Sequence, residues 1–224
     1  MTSLEFVQAA SNNNLNKVRQ MLETNGHLLN VKDREHDTAI MKAARNCHAT
    51  DVVSFLLEKG ANINDQEYRD TINQTPIIVA AQHGCTDIVR LLLEAGIKDI
   101  NHKNDQGESA LLAAAQEGHK QVVQILLDAG ADINQPNSDG ETALTIVTRN
   151  RHNKEYIDFL IENGATAEAS AFAETDARTS VNANARTSVN AEAIGVKKKK
   201  RKWNKSKKVK KVKKVKRRTI RNKK

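Results

Sequence analysis

Short amphipathic segments recur along residues 1–168 of the chain. One complete copy lies at 105–134, where an Ala-rich run at 111–115 precedes an apolar stripe between residues 122 and 127. Ser109 stands where an N-cap is expected, and Gly130 follows the second segment, where glycine adopts the left-handed capping conformation without strain. Neither segment is long enough to form a stable helix alone in water. The pattern therefore predicts a helix pair that needs neighbouring pairs.

Further copies supply those neighbours. The first segment begins at intervals of 33 to 37 residues, and the glycine after the second segment returns at intervals of 34 to 36. A self-similar period in this range is typical of a solenoid of stacked units. The first segments start at Thr38, Thr75, Ser109 and Thr142, and the glycines are Gly60, Gly96, Gly130 and Gly164.

In these copies the chain resembles the ankyrin repeat family, whose pattern runs roughly D-x-x-G-x-T-P-L-H-x-A-A-x-x-G-H-x-x-V-V-x-L-L-L-x-x-G-A. The resemblance implies an all-α solenoid of stacked helix pairs with short hairpin fingers. This chain departs from the pattern at the His of T-P-L-H, which is replaced by Met41, Ile78, Leu112 and Thr145, while only Pro76 keeps the proline. The apolar packing pattern survives these replacements.

Changes in composition divide the chain into three parts. Residues 1–168 form the repeat domain, residues 169–196 are an Ala-, Thr-, Ser- and Asn-rich linker, and residues 197–224 are a basic tail that we expect to be disordered alone. The connection from Asn64 to Thr75 is longer than its counterparts, which predicts a protruding third finger. The predicted repeats span about 1–34, 35–66, 70–104, 105–137 and 138–168, with polar caps at both ends.

Charge is distributed unevenly between these parts. The formal net charge is +9, yet residues 197–224 hold 19 of the 36 Lys and Arg and none of the 27 Asp and Glu. Residues 1–196 therefore carry 17 basic and 27 acidic residues, a net −10. An acidic solenoid is joined to a strongly basic arm.

By resemblance, members of this family contact protein partners through the x positions of the D-x-x-G-x-T finger and the two residues after A-A. We expect Tyr68 and Ile72 to be anchors, because exposed apolar side chains carry much of the energy of an interface. Acidic fingers in the fourth and fifth repeats suggest a partner with a basic patch. The candidates are Arg34, Glu35, Asp37, Arg45 and Asn46; Tyr68, Thr71, Ile72, Gln74, Gln82 and His83; Asp105, Gln106, Glu108, Gln116 and Glu117; and Ser138, Asp139, Glu141, Arg149 and Asn150.

The basic arm is open to four interpretations. Nuclear import through an importin-type receptor is ranked first for a eukaryotic cell, and sequence-independent nucleic-acid binding is compatible with it. Membrane attachment and folding back onto the acidic body are the other two. The sequence thus predicts a non-enzymatic protein-binding module, with a nucleic-acid-binding protein as the alternative. The targeting residues are Lys197, Lys198, Lys199, Lys200, Arg201 and Lys202, followed by Lys216, Arg217 and Arg218.

The sequence contains no motif that is typical of catalysis, nucleotide binding or metal binding. No nucleotide-binding loop, nucleophile elbow or paired metal-ligand spacing is present, so we expect no enzyme activity, cofactor or metal. We interpret Cys47 and Cys85 as free thiols in a reducing compartment and the histidines as structural. The chain lacks an apolar run long enough to span a membrane and a signal-peptide pattern at its start. We therefore expect a cytoplasmic or nuclear protein, and a monomer.

Overall fold

The computed structural model describes residues 2–64, 74–150 and 152–166, which contain ten α-helices in five consecutive pairs. We number the pairs as repeats 1 to 5. The prediction of an all-α repeat solenoid is confirmed. Within the described residues, no helix is both long and apolar enough to cross a membrane. The helices are α1 (Ser3–Ser11), α2 (Leu15–Thr24), α3 (Ala39–Ala44), α4 (Thr50–Glu58), α5 (Pro76–Gln82), α6 (Thr86–Glu94), α7 (Ala110–Gln116), α8 (Lys120–Ala129), α9 (Ala143–Arg149) and α10 (Lys154–Glu162).

The helix ends follow the sequence signals. Thr38 and Ser109 cap α3 and α7, because their hydroxyl oxygens accept hydrogen bonds from the backbone N–H groups of Met41 (3.4 Å) and Leu112 (3.3 Å). Gly130 ends α8 with a φ of 102°, a conformation that costs a residue with a Cβ atom steric energy. The predicted N-cap and left-handed C-cap of the fourth repeat are therefore confirmed.

The first helices of successive repeats (α1, α3, α5, α7, α9) pack against one another in order, and α2, α4, α6 and α8 form a second row. The core is one continuous aliphatic cluster. Close approach in the first row is possible because its inward positions are small: Ala43, Ala44, Ala114 and Ala115 are fully buried. Leu126 of α8 is also fully buried. Burial of a leucine side chain stabilises the fold by about 1.5–3 kcal/mol.

An asparagine at the end of each repeat joins it to the next. The side-chain oxygen of that asparagine accepts a hydrogen bond from a backbone N–H one repeat further along, at 2.8 to 2.9 Å. These bonds satisfy loop N–H groups that no helix uses, and they fix the spacing of the stack. The pairs are Asn30 with Asn62, Asn64 with Lys98, Asn101 with Asp132, and Asn134 with Thr166.

Two histidines link the turns between helices across repeat junctions. The ring Nε2 of His119 lies 3.0 Å from the backbone oxygen of Gln82, and the ring Nε2 of His152 lies 3.2 Å from that of Gln116. Each pair joins a repeat to the one before it. For these two residues, the structural interpretation of histidine is confirmed.

The prediction that Cys47 and Cys85 are free thiols is wrong, because the two form a disulfide between repeats 2 and 3. They are separated by 38 residues in sequence, close to one repeat period, so the stack places them side by side. Their Cα atoms are 4.6 Å apart, within the range that a disulfide needs.

Candidate protein-binding surface

Each described finger that precedes a first helix is folded around one side chain. In repeat 4, Oδ1 of Asn104 accepts hydrogen bonds from the backbone N–H groups of Gln106 (3.0 Å) and Glu108 (2.9 Å). Asp33 in repeat 2 and Asn137 in repeat 5 make the same pair of bonds. The backbone of the finger is therefore satisfied internally, and the residues at its tip are free to differ. We call the fingers together with the C-terminal ends of the first helices the finger face.

In repeat 2, the charges of the finger face are paired within the protein. The buried carboxylate of Asp37 lies 2.8 Å from a guanidinium nitrogen of Arg45 and 3.1 Å from Nζ of Lys42. Lys42 also pairs with Asp33 at 3.5 Å and contacts Glu35. Burial opposes the charge on Lys42, but its hydrogen bonds to Glu35 and Asp37 and the nearby carboxylates outweigh burial and raise its pKa.

Repeat 5 repeats this arrangement in simpler form. The guanidinium of Arg149, the last residue of α9, pairs with the carboxylate of Glu141 in the finger. Asn137 donates a second hydrogen bond to the other oxygen of Glu141 at 3.3 Å. Arg149 and Arg45 occupy the same position of the repeat, directly after the two residues that align with the A-A pair of the family pattern. In both repeats, an arginine on the first helix neutralises the acid of the finger.

Repeat 4 lacks this arginine. Its finger acid is Glu108, and the position of Arg45 and Arg149 is taken by Gln116, which Glu117 follows. Glu108 is half-buried and accepts a hydrogen bond from Asn104 at 3.3 Å. Burial raises the pKa of Glu108, the hydrogen bond from Asn104 opposes this rise, and the charge of Glu117 adds a smaller upward contribution. Within the described ranges, no Lys or Arg forms an ion pair with either carboxylate.

The structure places the predicted contact residues as follows. Asp37 is buried and used internally, so it is not presented to solvent. Tyr68, Thr71 and Ile72 of the third finger lie outside the described residues, as do the linker 169–196 and the whole arm, including Lys197–Lys202 and Lys216–Arg218. Half-buried positions are Arg45, Asn46, Gln74, Gln82, Glu108 and Glu141; exposed positions are Arg34, Glu35, His83, Asp105, Gln106, Gln116, Glu117, Ser138, Asp139, Arg149 and Asn150.

Sequence reasoning missed Lys42 and the two bridging histidines as parts of this surface. Lys42 lies on α3 and pairs with the carboxylates of the finger that precedes this helix. The spacing of residues within one helix therefore does not reveal the pairing. His119 and His152 hold the carbonyl groups of Gln82 and Gln116, and thereby fix the ends of α5 and α7 on the finger face. The position of these histidines, just before the second helix of their repeats, is the sequence signal that could have identified them. No described group of three or more His, Cys, Asp or Glu residues is arranged to hold a metal ion.

The chain is similar to known proteins along most of the described region. Residues 6–104 and 96–171 match a family model described as ankyrin repeats in three copies, which together span well over half of the chain. A curated protein of Saccharomyces cerevisiae, described as probable 26S proteasome regulatory subunit p28, is 29% identical over 98 residues. That match covers 44% of this chain and 42% of the yeast protein, so the chain spans less than half the length of that relative.

Proposed function

The chain belongs to the ankyrin repeat family, and from this premise we propose that it is a non-enzymatic module that holds a protein partner on its finger face. Ankyrin repeats are protein–protein interaction modules. The yeast relative is described as a regulatory subunit, which supports a role in binding protein for this chain too.

The observation that carries this proposal is the unneutralised acid of repeat 4. In repeats 2 and 5, an arginine of the chain itself pairs with the finger carboxylate. In repeat 4, where Gln116 replaces the arginine, no Lys or Arg of the described ranges pairs with Glu108 or Glu117, and like charges close together raise each other's energy. A basic side chain of the partner relieves that repulsion. We therefore propose that the partner presents an arginine or lysine to Glu108 and Glu117.

Capture of partners by the full chain tests this proposal. The Glu108→Gln, Glu117→Gln double variant removes both charges and keeps the shape of the side chains. Its matched control is Glu58→Gln, Glu94→Gln, which removes two exposed charges at the ends of α4 and α6, away from the finger face. We expect a partner that the full chain and the control capture equally, and that the finger-face variant loses.

The partner so identified is then purified and its affinity measured. We expect about a tenfold or greater loss with Glu108→Gln, Glu117→Gln, because a close charge pair contributes about 1.5 kcal/mol or more. Equal binding by all three proteins would place the interface away from repeat 4. Tyr68 and Ile72 are the proposed apolar anchors of the same interface, so Tyr68→Ala, Ile72→Ala should weaken binding to the same partner.

A separate function is proposed for the arm, on the basis of its 19 cations and absence of acidic residues between positions 197 and 224. We propose that it directs the protein to the nucleus, binds polyanions, or does both. Cations that neutralise phosphates release counterions, so binding to DNA or RNA should weaken with salt by a slope of about −0.7 to −0.9 per phosphate. The alternative function, a nucleic-acid-binding protein in which the arm is the main element, rests on the same charges.

A chain truncated after Ala191 separates the two functions. It should lose nucleic-acid binding and nuclear accumulation in eukaryotic cells, and keep the protein partner of the finger face. Nucleic-acid binding that survives truncation at ordinary salt would contradict the division between arm and solenoid. Loss of the protein partner on truncation would favour the alternative.

A further inference from the structure

The junction between repeats 2 and 3 is joined differently from the other junctions. His119 and His152 reach the backbone of the preceding repeat at the junctions 3/4 and 4/5. At the junction 1/2, side-chain amides bridge the two turns: Asn13 donates to the oxygen of His48 at 3.1 Å, and Asn46 to that of Ser11 at 3.4 Å. At the junction 2/3, Cys85 holds the position of His119, and its link to the preceding repeat is the disulfide with Cys47.

The two sulfur atoms differ in access. Cys47 is exposed, whereas Cys85 is 1% exposed and is the N-cap residue of α6. Attack by a thiol in solution is therefore expected at Cys47 rather than at Cys85.

We propose that the Cys47–Cys85 pair is a reversible redox switch that ties repeat 2 to repeat 3 when oxidised and loosens their junction when reduced. The thiolate of a small monothiol attacks Sγ of Cys47, the S–S bond breaks, and its electron pair leaves on Sγ of Cys85. A second monothiol attacks the mixed disulfide and releases Cys47, and the two monothiols end as one disulfide. Oxidation by a small disulfide is the reverse.

Reduction replaces a covalent link by a weak contact. The sulfur of Cys47 lies 3.5 Å from the backbone oxygen of His83, and a thiol is a weak hydrogen-bond donor. The link also closes a loop of 38 residues, so its loss frees the unfolded chain as well. In the cytoplasmic or nuclear compartment that the sequence predicts, disulfides are rare and mostly transient or redox-sensing, which fits a reversible pair.

The switch lies next to side chains proposed for partner binding. Arg45 and Asn46 precede Cys47 directly, and Gln82 and His83 lie within three residues of Cys85. The redox state of the pair therefore sets how these ends of α3 and α5 are held relative to each other. This consequence rests on the proposed function, whereas the switch itself does not.

Titration of the full-length protein in glutathione buffers tests the switch. The fraction of each form is measured by trapping free thiols with an alkylating agent and recording the intact mass without reductant. We expect the folded protein to change reversibly, with no denaturant in the redox buffer, between a form that takes up no alkyl group and one that takes up two when denaturant is added with the alkylating agent. Two reactive thiols at every buffer ratio would overturn the proposal. A disulfide that is reduced only when the protein is unfolded would overturn it as well.

The effect on the junction is measured by urea unfolding and hydrogen exchange. Reduction should raise the unfolding equilibrium constant by roughly 30- to 1,000-fold and speed exchange most in repeats 2 and 3. Cys47→Ser, Cys85→Ser should behave as reduced protein in either buffer, which removes direct effects of the reductant. If burying a serine at 85 prevents folding, Cys47→Ser alone serves, since residue 47 is exposed. Equal unfolding with and without reductant would overturn the proposal, whatever the outcome of partner capture.

Discussion

Repeats 2 and 4 have the same fold, a finger followed by a pair of helices, but the acidic residue of the finger has different surroundings in each. In repeat 2, Asp37 is buried between Lys42 and Arg45. In repeat 4, the corresponding Glu108 forms no ion pair with a Lys or Arg of the described residues, and Glu117 is close enough to repel its charge. The comparison shows that the backbone of the repeat does not decide whether a finger acid is paired within the protein. Two positions of the first helix differ instead: repeat 2 has Lys42 and Arg45 where repeat 4 has Ala113 and Gln116.

The largest difference between the two repeats should appear in stability. Asp37→Asn removes the charge that holds Lys42 and Arg45, and it should lower the free energy of unfolding by about 2 kcal/mol, since partly buried charged groups lose their hydrogen-bonded partner. Glu108→Gln is the matched change in repeat 4 and should raise it slightly, by less than about 0.5 kcal/mol, because burial disfavours the ionised carboxylate that it removes. Urea unfolding at pH 7 in one fixed redox state measures both. Equal losses would contradict the contrast between the repeats.

Placing an arginine at position 116 should make repeat 4 resemble repeat 2. Gln116→Arg places a guanidinium near Glu108, and a partly exposed ion pair of this kind stabilises by about 0.2–1 kcal/mol. Gln82→Arg is the control, because it adds the same charge at the same position of repeat 3, where Gln74 replaces the finger acid. Thermal and urea unfolding should show a gain for the first variant alone. A gain of the same size in both would mean that general charge, rather than the carboxylates of repeat 4, is responsible.

The smallest predicted effect is on pH dependence. The pKa of Glu108 is raised, so the folded protein binds its proton more tightly than the unfolded chain does. Its contribution to stability is then present below the unfolded value of about 4.3 and is lost as pH rises through the folded value. Relative to Glu108→Gln, the wild-type protein should lose stability over this window, which pH-dependent urea unfolding of the two proteins measures. A difference that grows in the opposite direction would show that the carboxylate is stabilised by a cation after all.

Much of this architecture could be predicted from local sequence. The caps at Thr38 and Ser109 and the glycine at 130 follow from single-residue preferences, and the repeat period predicts the stack. The Cys47–Cys85 disulfide was missed because it depends on which residues the stack brings together, and a separation of 38 residues conceals that they are neighbours.

The role of Asp37 was missed for a related reason. Its position in the finger was carried over from the family pattern as a contact site, but whether such an acid is buried depends on the cation opposite it. In repeat 2 that cation comes from Lys42 and Arg45 of the next helix. Side-chain pairing of this kind varies from repeat to repeat while the backbone pattern stays the same, so the pattern alone does not reveal it.

The most direct test of the account is the affinity of the captured protein partner for Gln116→Arg. If a basic group of the partner binds between Glu108 and Glu117, the new arginine occupies its site and should weaken binding at least tenfold, a change of about 1.4 kcal/mol. Gln20→Arg should weaken it much less, because it adds the same charge at an exposed position of α2 that is not among the proposed contact residues. Unchanged affinity of Gln116→Arg for a partner that binds the finger face would contradict the claim that repeat 4 receives the partner's basic side chain.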